Sequence, residues 1–399
     1  MSNQQDIIMN LIGRTAPLIS EINEYEGHLL EIVINSSFLV IGGAGSIGQA
    51  VVKEVFKRNP RRLHVVDISE NNLVELVREI RSRYGYISGD FQTFALDVGS
   101  VEFDAYFSTA APFDYVLNLS ALKHVRSEKD PFTLMRMIDV NIINTIKTVE
   151  MSIDSGINKY FCVSTDKAAN PVNMMGASKR IMEMFLQKYG KKLPISTARF
   201  ANVAFSDGSL LHGFRQRLMK DQPIAAPNDV KRYFVTPQEA GELCLLSALL
   251  GKNGEIYFPR LDGDLHMLTF SQIAENFLKQ SGFEPFLCET ENEARKKVQE
   301  LKRQGKWPCF FSNSDTTGEK AFEEFYMAHE HVDLSQYESL GIVKNSAAAS
   351  EEILSEFLAR INELRSSGIW NRQDIIEIFK MILPGLDHLE RDKFLDGKM

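Results

Sequence analysis

Short apolar runs alternate with longer amphipathic segments along the first 250 residues of the chain. The runs have the length of buried strands and lie at 38–41, 63–66, 93–96, 115–119 and 160–163, and a further strand is predicted at 195–200. The segments between them repeat apolar residues at helical spacing, as in 71–83 and 174–189. Regular alternation of this kind predicts an α/β fold with a doubly wound parallel sheet, a Rossmann fold.

Changes in this pattern divide the chain into four predicted parts. Residues 1–36 are an N-terminal helical extension, and 37–205 form the Rossmann domain. The alternation loosens over 206–330, which we interpret as a smaller substrate-binding region, and 331–399 form a C-terminal helical extension. The N-terminal helices are expected to cap the same chain, contact a second subunit or touch a membrane surface. Their acidic residues disfavour the last of these.

A glycine-rich segment follows the first predicted strand and leads into a helix. It contains Gly42, Gly45 and Gly48 at the spacing G-x-x-G-x-x-G, with Ser46 and Ile47 between the last two glycines. Glycines in this context allow the backbone to approach a pyrophosphate, whose charge then lies at the helix N-terminus. The segment therefore predicts a dinucleotide-binding loop.

Acidic residues end the next two strands at the same edge of the sheet. Asp67 is placed to accept hydrogen bonds from an adenosine ribose and to repel a 2′-phosphate, which favours NAD over NADP. Asp97 is predicted either to lie near the adenine or to act as a turn or capping residue. Ser69, Val98 and Ala121 complete the predicted cofactor site.

Thr165, Asp166 and Lys167 follow directly after the most apolar strand, and Asn170-Pro171 then signals a turn. Ligands bind at the carboxyl ends of strands in open parallel sheets. The three proton-handling side chains are therefore predicted to line an active-site cleft. A solvated surface turn is the alternative interpretation.

Composition narrows the possible partners and the compartment. The net charge of −8 argues against general nucleic-acid binding, and no apolar run approaches the ~20 residues of a membrane span. The four cysteines show no C-x-x-C pairing, so we expect reduced thiols in a cytoplasmic protein and no metal site. The N-terminus has no basic start and is not expected to be a signal peptide.

Several motifs together resemble a known family. They are Ser164–Pro171, Gly176–Lys179, Ala121–Val125, Ala198–Val203 and Arg232–Thr236. Over roughly residues 36–250 the chain resembles an extended short-chain dehydrogenase/reductase. More narrowly, it is similar to the UDP-N-acetylglucosamine 4,6-dehydratases of bacterial polysaccharide biosynthesis, which are lyases that use NAD.

The resemblance implies roles for the residues around the central strand. Asp166 would be the acid for the departing 6-hydroxyl, Lys167 the base at C5, and Thr165 a contact of the sugar 4-hydroxyl. Lys179 would bind the nicotinamide ribose. Met175 stands where the superfamily usually has a tyrosine, and a thioether cannot carry a proton. A Met-bearing branch of the family exists, and resemblance to it implies retained configuration at C5.

The remaining implications concern the substrate and the assembly. Lys123, His124, Asn202, Ser209 and Arg232 are expected to contact a UDP-sugar, and the chain is expected to be a homo-oligomer. Two other functions remain open: a nucleotide-sugar epimerase or 4-reductase, and a non-catalytic dinucleotide-binding protein. The missing tyrosine argues against the first, and the retained Asp-Lys pair argues against the second.

Overall fold

The computed structural model of the chain describes residues 4–261, 267–314, 323–344 and 349–386. Its helices are α1 (Gln4–Leu11), α2 (Glu21–Glu24), α3 (Glu26–Ile34), α4 (Ser46–Phe56), α5 (Glu70–Tyr84), α6 (Val101–Ala110), α7 (Pro131–Ile138), α8 (Asn144–Asp154), α9 (Met174–Tyr189), α10 (Leu210–Met219), α11 (Pro237–Leu250), α12 (Phe270–Gln280), α13 (Glu291–Arg303), α14 (Glu351–Ser367) and α15 (Arg372–Ile382). Its strands are β1 (Ser37–Ile41), β2 (Arg62–Asp67), β3 (Asp90–Ala95), β4 (Tyr115–Asn118), β5 (Lys159–Thr165), β6 (Ile195–Phe200), β7 (Asn202–Val203), β8 (Ile224–Pro227), β9 (Lys231–Arg232), β10 (Phe234–Val235), β11 (Ile256–Pro259), β12 (Leu268–Thr269), β13 (Glu284–Leu287), β14 (Lys306–Ser312), β15 (His331–Asp333) and β16 (Leu340–Lys344).

The main sheet has the order β15-β16-β11-β6-β5-β4-β1-β2-β3 within the described ranges. The strands from β3 to β11 are parallel, and the pairs β11–β16 and β16–β15 are antiparallel. The chain winds outward in both directions from β1, so the strand order reverses between β1 and β4. Such a switch point opens a crevice at the carboxyl ends of the strands. The predicted Rossmann fold is confirmed.

Alternate residues of each central strand pack into different cores, because successive side chains of a strand point to opposite faces. Phe38 and Val40 of β1 lie in a cluster with helices α4 and α11, whereas Leu39 and Ile41 lie in a second cluster with α7, α8 and α9. Helices therefore cover both faces. This explains why the strands read as continuous apolar runs rather than as alternating patterns.

Helices α7 and α8 are joined by a π-helical turn at Asp139–Ile143. Asn141 within this turn is fully buried. Its amide exchanges two hydrogen bonds with the backbone of Leu122, at 3.0 and 3.1 Å, and donates to Ser178 Oγ at 3.0 Å. Asn141 therefore ties the loop after β4 to helix α9.

A three-stranded sheet, β13-β14-β8, and helices α10, α12 and α13 form a smaller region beside the main sheet. Ile8 and Leu11 of α1, together with Ile12 directly after it, are buried in its core, so the first helix caps this region of the same chain. All four cysteines are buried and free. The described helices are each too short or too polar to span a bilayer.

The C-terminal part differs from the predicted helical extension over 331–399. Strands β15 and β16 belong to the main sheet, and helices begin only with α14. Phe357 of α14 then packs near Phe185 of α9, with 6.3 Å between the ring centroids. Strand β16 forms because it pairs with the edge of β11, which lies far from it in the sequence. A local sequence pattern does not reveal such a pairing.

Candidate active site

The glycine loop is folded so tightly that two of its glycines have no room for a side chain. A Cβ atom at Gly42, where φ is +72°, would lie 2.6 Å from the backbone nitrogen of Ser120. A Cβ atom at Gly48 would lie 2.1 Å from the carbonyl oxygen of Gly42. Helix α4 begins at Ser46, directly after Gly45, so its free N–H groups face the crevice between β1 and β4. This is a cradle for an anion such as a pyrophosphate.

Asp67 at the end of β2 holds this loop in place. Its Oδ2 accepts the N–H of Ala44 at 2.9 Å, and its Oδ1 accepts the N–H of Ser69 at 2.9 Å. Each carboxylate oxygen retains capacity for a further hydrogen bond. The carboxylate is therefore positioned by the loop and still able to accept a ribose hydroxyl.

The other predicted cofactor residues lie around this edge with different local roles. Ser69 caps helix α5, and Asp97 accepts the N–H of Gly99 at 2.8 Å and a guanidinium hydrogen bond from Arg136 at 2.9 Å. Asp97 thus acts as a turn residue, the alternative left open by its position in the sequence. Val98 is buried, and Ala121 follows β4 at the switch point.

Thr165, Asp166 and Lys167 form one hydrogen-bonded group at the end of β5. Thr165 Oγ1 donates to Asp166 Oδ1 at 2.7 Å, and Lys167 Nζ lies 3.1 and 3.3 Å from the two Asp166 oxygens. A short 3₁₀ turn, Asp166–Ala168, brings the carboxylate and the amine to the same side, whereas extended backbone would separate them. Asp166 is only 4% exposed, while a third of the Lys167 side chain reaches solvent.

Lys179 and Met175 lie below this group on helix α9. The Nζ of Lys179 donates to the carbonyl oxygen of Val163 at 3.1 Å, and burial lowers the pKa of this ammonium. The ammonium also donates to Met182 Sδ at 3.6 Å, so one of its three donor positions remains for a further partner. Met175 is 3% exposed within the apolar core, so this position contributes no proton-carrying group.

The predicted substrate residues lie on the opposite wall of the crevice. Lys123 Nζ lies 3.5 Å from Ser206 Oγ, and the ring of His124 packs against Gly208, where an added Cβ would lie 2.7 Å from Nε2. Ser209 caps helix α10 by accepting the N–H of His212. Both basic residues therefore meet the turn that precedes α10.

This turn also touches the glycine loop. The N–H of Asp207 donates to Ser46 Oγ at 2.8 Å, which leaves the Ser46 hydroxyl hydrogen free to donate elsewhere. The glycine loop and the turn before α10 are thus joined through Ser46.

Asn202 of β7 and Tyr233, the residue after Arg232 of β9, both contact Glu323, a residue that the sequence did not suggest. The side-chain amide of Asn202 donates to Glu323, and the N–H of Tyr233 donates to the other oxygen of Glu323 at 3.0 Å. Arg232 is 9% exposed, and its guanidinium donates to the carbonyl of Lys231 at 2.8 Å. Glu323 lies in no recognisable motif and about 120 residues after Asn202, so only the tertiary structure reveals it.

Comparisons with known proteins agree with this architecture. An uncharacterised membrane protein of Methanocaldococcus jannaschii is 31% identical over 316 residues, which cover 77% of this chain and 86% of that protein. The capsular polysaccharide biosynthesis protein CapD of Staphylococcus aureus is 30% identical over 261 residues. That match covers 62% of this chain and only 41% of CapD, so this chain corresponds to less than half of CapD.

Two further comparisons concern named enzymes. A UDP-N-acetylglucosamine 4,6-dehydratase (inverting) of Campylobacter jejuni is 27% identical over 235 residues, covering 56% of this chain and 67% of that protein. The crystal structure of the Bordetella bronchiseptica enzyme WbmF with NAD⁺ and UDP shares the fold, with a TM-score of 0.51 and 18% identity over 63% of this chain and 80% of WbmF.

A family model described as polysaccharide biosynthesis protein matches residues 38–345. This match includes the glycine loop, the Thr165-Asp166-Lys167 group and Glu323. Because the matched segment is most of the chain and contains both walls of the crevice, the chain belongs to the polysaccharide biosynthesis protein family.

Proposed function

We propose that the chain is an NAD-dependent dehydratase that converts UDP-N-acetylglucosamine to its 4-keto-6-deoxy product with retention at C5. The observation that carries this proposal is the ion pair between Asp166 and Lys167, 3.1 Å apart at the end of β5. An acid and a base in contact, with no tyrosine at position 175, suit an elimination better than simple alcohol oxidation. The Campylobacter relative named above supports the reaction type.

The residues present fit NAD. The glycine loop and the N-terminus of α4 would hold the pyrophosphate, Asp67 the adenosine ribose, and Lys179 the nicotinamide ribose. When bound, NAD would supply the hydride acceptor for sugar C4 and the hydride donor for C6.

The Asp166–Lys167 pair needs one internal proton transfer to become active. Movement of a proton from Lys167 Nζ to Asp166 across 3.1 Å gives a neutral amine and a carboxylic acid. The amine takes the C5 proton, and the acid protonates the departing 6-hydroxyl, which leaves as water. These two transfers restore the original ion pair.

Retention at C5 follows if Lys167 also returns the proton it removed, because both transfers then occur on one face of the sugar. Lys167 is then neutral, and its exposed amine takes up one proton from solvent. The 4-hydroxyl releases one proton to solvent when it becomes a ketone. The uptake and the release are equal, so the cycle has no net change in protons. Thr165 positions the 4-hydroxyl beside Asp166.

Incubation of the purified protein with UDP-N-acetylglucosamine and no added cofactor tests the reaction. A dehydratase forms keto sugar with no net NADH, because the redox cycle is closed. A reductase requires added reductant, an epimerase returns a 4-epimer, and a non-catalytic protein gives no product. An L-arabino product seen by NMR would contradict retention at C5, and failure to form any keto sugar would contradict the proposal.

Replacement of Asp67 by alanine tests the cofactor site. We expect NAD affinity to fall by about 1–3 kcal/mol, because ribose hydroxyls and the Ala44 N–H lose their acceptor. Binding of NADP should be weakened less, since the repulsion of a 2′-phosphate is also removed. Titration calorimetry of both nucleotides measures the change. Asp154→Ala, on an exposed helix end, is the control, and unchanged NAD affinity in Asp67→Ala would refute the ribose role.

A further inference from the structure

The turn that precedes α10 runs from Ser206 to Ser209 and is hydrogen-bonded to the glycine loop. The backbone N–H of Asp207 donates to Ser46 Oγ at 2.8 Å. Ser46 is the first residue of α4, directly after Gly45, so it belongs to the anion cradle at the start of that helix. One hydroxyl group therefore connects the cradle with the turn.

The same turn meets the loop after β4. Lys123 Nζ lies 3.5 Å from Ser206 Oγ, and a Cβ atom added at Gly208 would lie 2.7 Å from His124 Nε2. Ser209 ends the turn and caps α10. Lys123, His124 and Ser209 are predicted contacts of the UDP-sugar. The conformation of the turn therefore sets the position of Ser209 and the surroundings of the two basic side chains.

The backbone of this segment is unfavourable at two positions. Phe205, directly before the turn, has a φ of +56°, and Gly208 within it has a φ of +71°. A positive φ is unfavourable for an aromatic residue, so it persists only where contacts elsewhere hold it. Phe205 is buried near Phe277, with 6.1 Å between the ring centroids, which holds the segment before the turn. The turn itself depends on contacts such as the one with Ser46.

We propose that Ser46 is a positioning residue through which bound NAD orders the Ser206–Ser209 turn and thereby raises the affinity of the protein for its UDP-sugar. A hydroxyl group has one hydrogen to donate and also accepts. Because Ser46 Oγ accepts the Asp207 N–H, its own hydrogen can be donated to a pyrophosphate oxygen in the cradle. Donation to an anion polarises the hydroxyl and strengthens the hydrogen bond that it accepts. The inference rests on the proposed function, because the residues that meet the turn are predicted substrate contacts.

Titration with UDP, which cannot be dehydrated, measures the coupling. UDP is added to wild-type protein freed of nucleotide and to wild-type protein saturated with NAD. We expect NAD to lower the dissociation constant of UDP by about fivefold or more, the lower end of typical couplings between two sites. Saturating UDP should lower the dissociation constant of NAD by the same factor, because coupling between two binding sites is reciprocal.

Substitutions at Ser46 show whether its hydroxyl carries the coupling. Ser46→Ala removes the hydroxyl but keeps a strong helix former at the start of α4. The dissociation constant of UDP should then no longer depend on NAD, which is added at a concentration that also saturates the variant. Ser46→Thr retains the hydroxyl and should retain the coupling. Ser350→Ala is the matched control at the start of α14, where the serine hydroxyl accepts the Ile353 N–H at 3.3 Å, and it should keep the wild-type coupling.

Hydrogen exchange at the Asp207 amide gives a second readout that needs no substrate. This N–H donates to Ser46, so NAD should slow its exchange in the wild type and in Ser46→Thr but not in Ser46→Ala. A serine with a structural role alone would change the melting temperature without making the protection of Asp207 depend on NAD.

The outcomes distinguish the inference from the proposed function. If the wild type binds UDP equally well with and without NAD, or if Ser46→Ala keeps the coupling, the inference is wrong and the proposed function stands. If the wild type binds neither UDP nor UDP-N-acetylglucosamine, the proposed function fails. The dependence of Asp207 exchange on NAD then still decides whether Ser46 orders the turn.

Discussion

Asp166→Asn and Lys167→Ala should each lower kcat by about 10²–10⁴-fold while NAD stays bound, since this is the usual worth of a positioned acid or base. The asparagine cannot receive the proton of Lys167 or pass it to the departing hydroxyl. The alanine removes the base at C5. Neither change disturbs the glycine loop, so the cofactor content should be that of the wild type.

A double variant that combines Asp166→Asn with Lys167→Ala tests whether the two residues act together. Because the two residues act as one proton-transferring unit at 3.1 Å, the double variant should be little slower than either single variant. If the two residues acted independently, the fold reductions in kcat of the two single variants would multiply in the double variant. Asp154→Asn and Lys192→Ala make the same chemical changes at exposed positions and should leave kcat unchanged. Wild-type turnover in Lys167→Ala would show that another group takes the C5 proton.

Arg199→Met should lower the free energy of unfolding by about 3–5 kcal/mol, the cost of removing one partner from a buried ion pair. The Arg199 side chain is fully buried, and its guanidinium makes five contacts of 2.7–2.9 Å to Glu183, Glu330 and the carbonyl of Phe325. The variant removes the shared guanidinium from two buried carboxylates, which Arg180 still contacts at 3.2 and 3.4 Å. Chemical denaturation measures the loss.

The difference in unfolding free energy between the wild type and Arg199→Met should become smaller at acidic pH. Although burial acts in the other direction, Arg199 holds the pKa values of Glu183 and Glu330 below their usual range. Carboxylates with lowered pKa values add stability above their unfolded pKa and lose it as the pH falls through the folded value. The variant lacks most of this contribution, so the two unfolding free energies should approach each other at low pH.

Arg360→Met provides a matched control for the same substitution. Arg360 forms an exposed helical pair with Glu356 at 2.7 Å, a type of contact worth only about 0–1 kcal/mol. A loss in Arg199→Met no larger than in this control would contradict the structural role.

The helices, strands and loop that were predicted correctly from the sequence are determined by interactions between residues close together in the chain. Helix α9 has the predicted bounds, 174–189, because Asn173 caps its start and its apolar residues repeat at helical spacing. The central strand is buried from 160 to 164, and its residues 160–163 therefore appear as an unbroken apolar run. The glycine spacing of the loop follows from contacts within a few residues, such as that between Gly48 and Gly42. In each case the determining interactions lie close together along the chain.

Periodicity, capping and turn signals act over short stretches, so the sequence was sufficient to predict the parallel sheet, the glycine loop and the place of Thr165, Asp166 and Lys167 after β5. The turn contact of Asp97, the pairing of β16 with the main sheet and the contact of Glu323 with Asn202 become visible only in the folded chain. These arrangements depend on packing and charge interactions between residues that are far apart in the sequence. A local sequence pattern contains no information about such interactions.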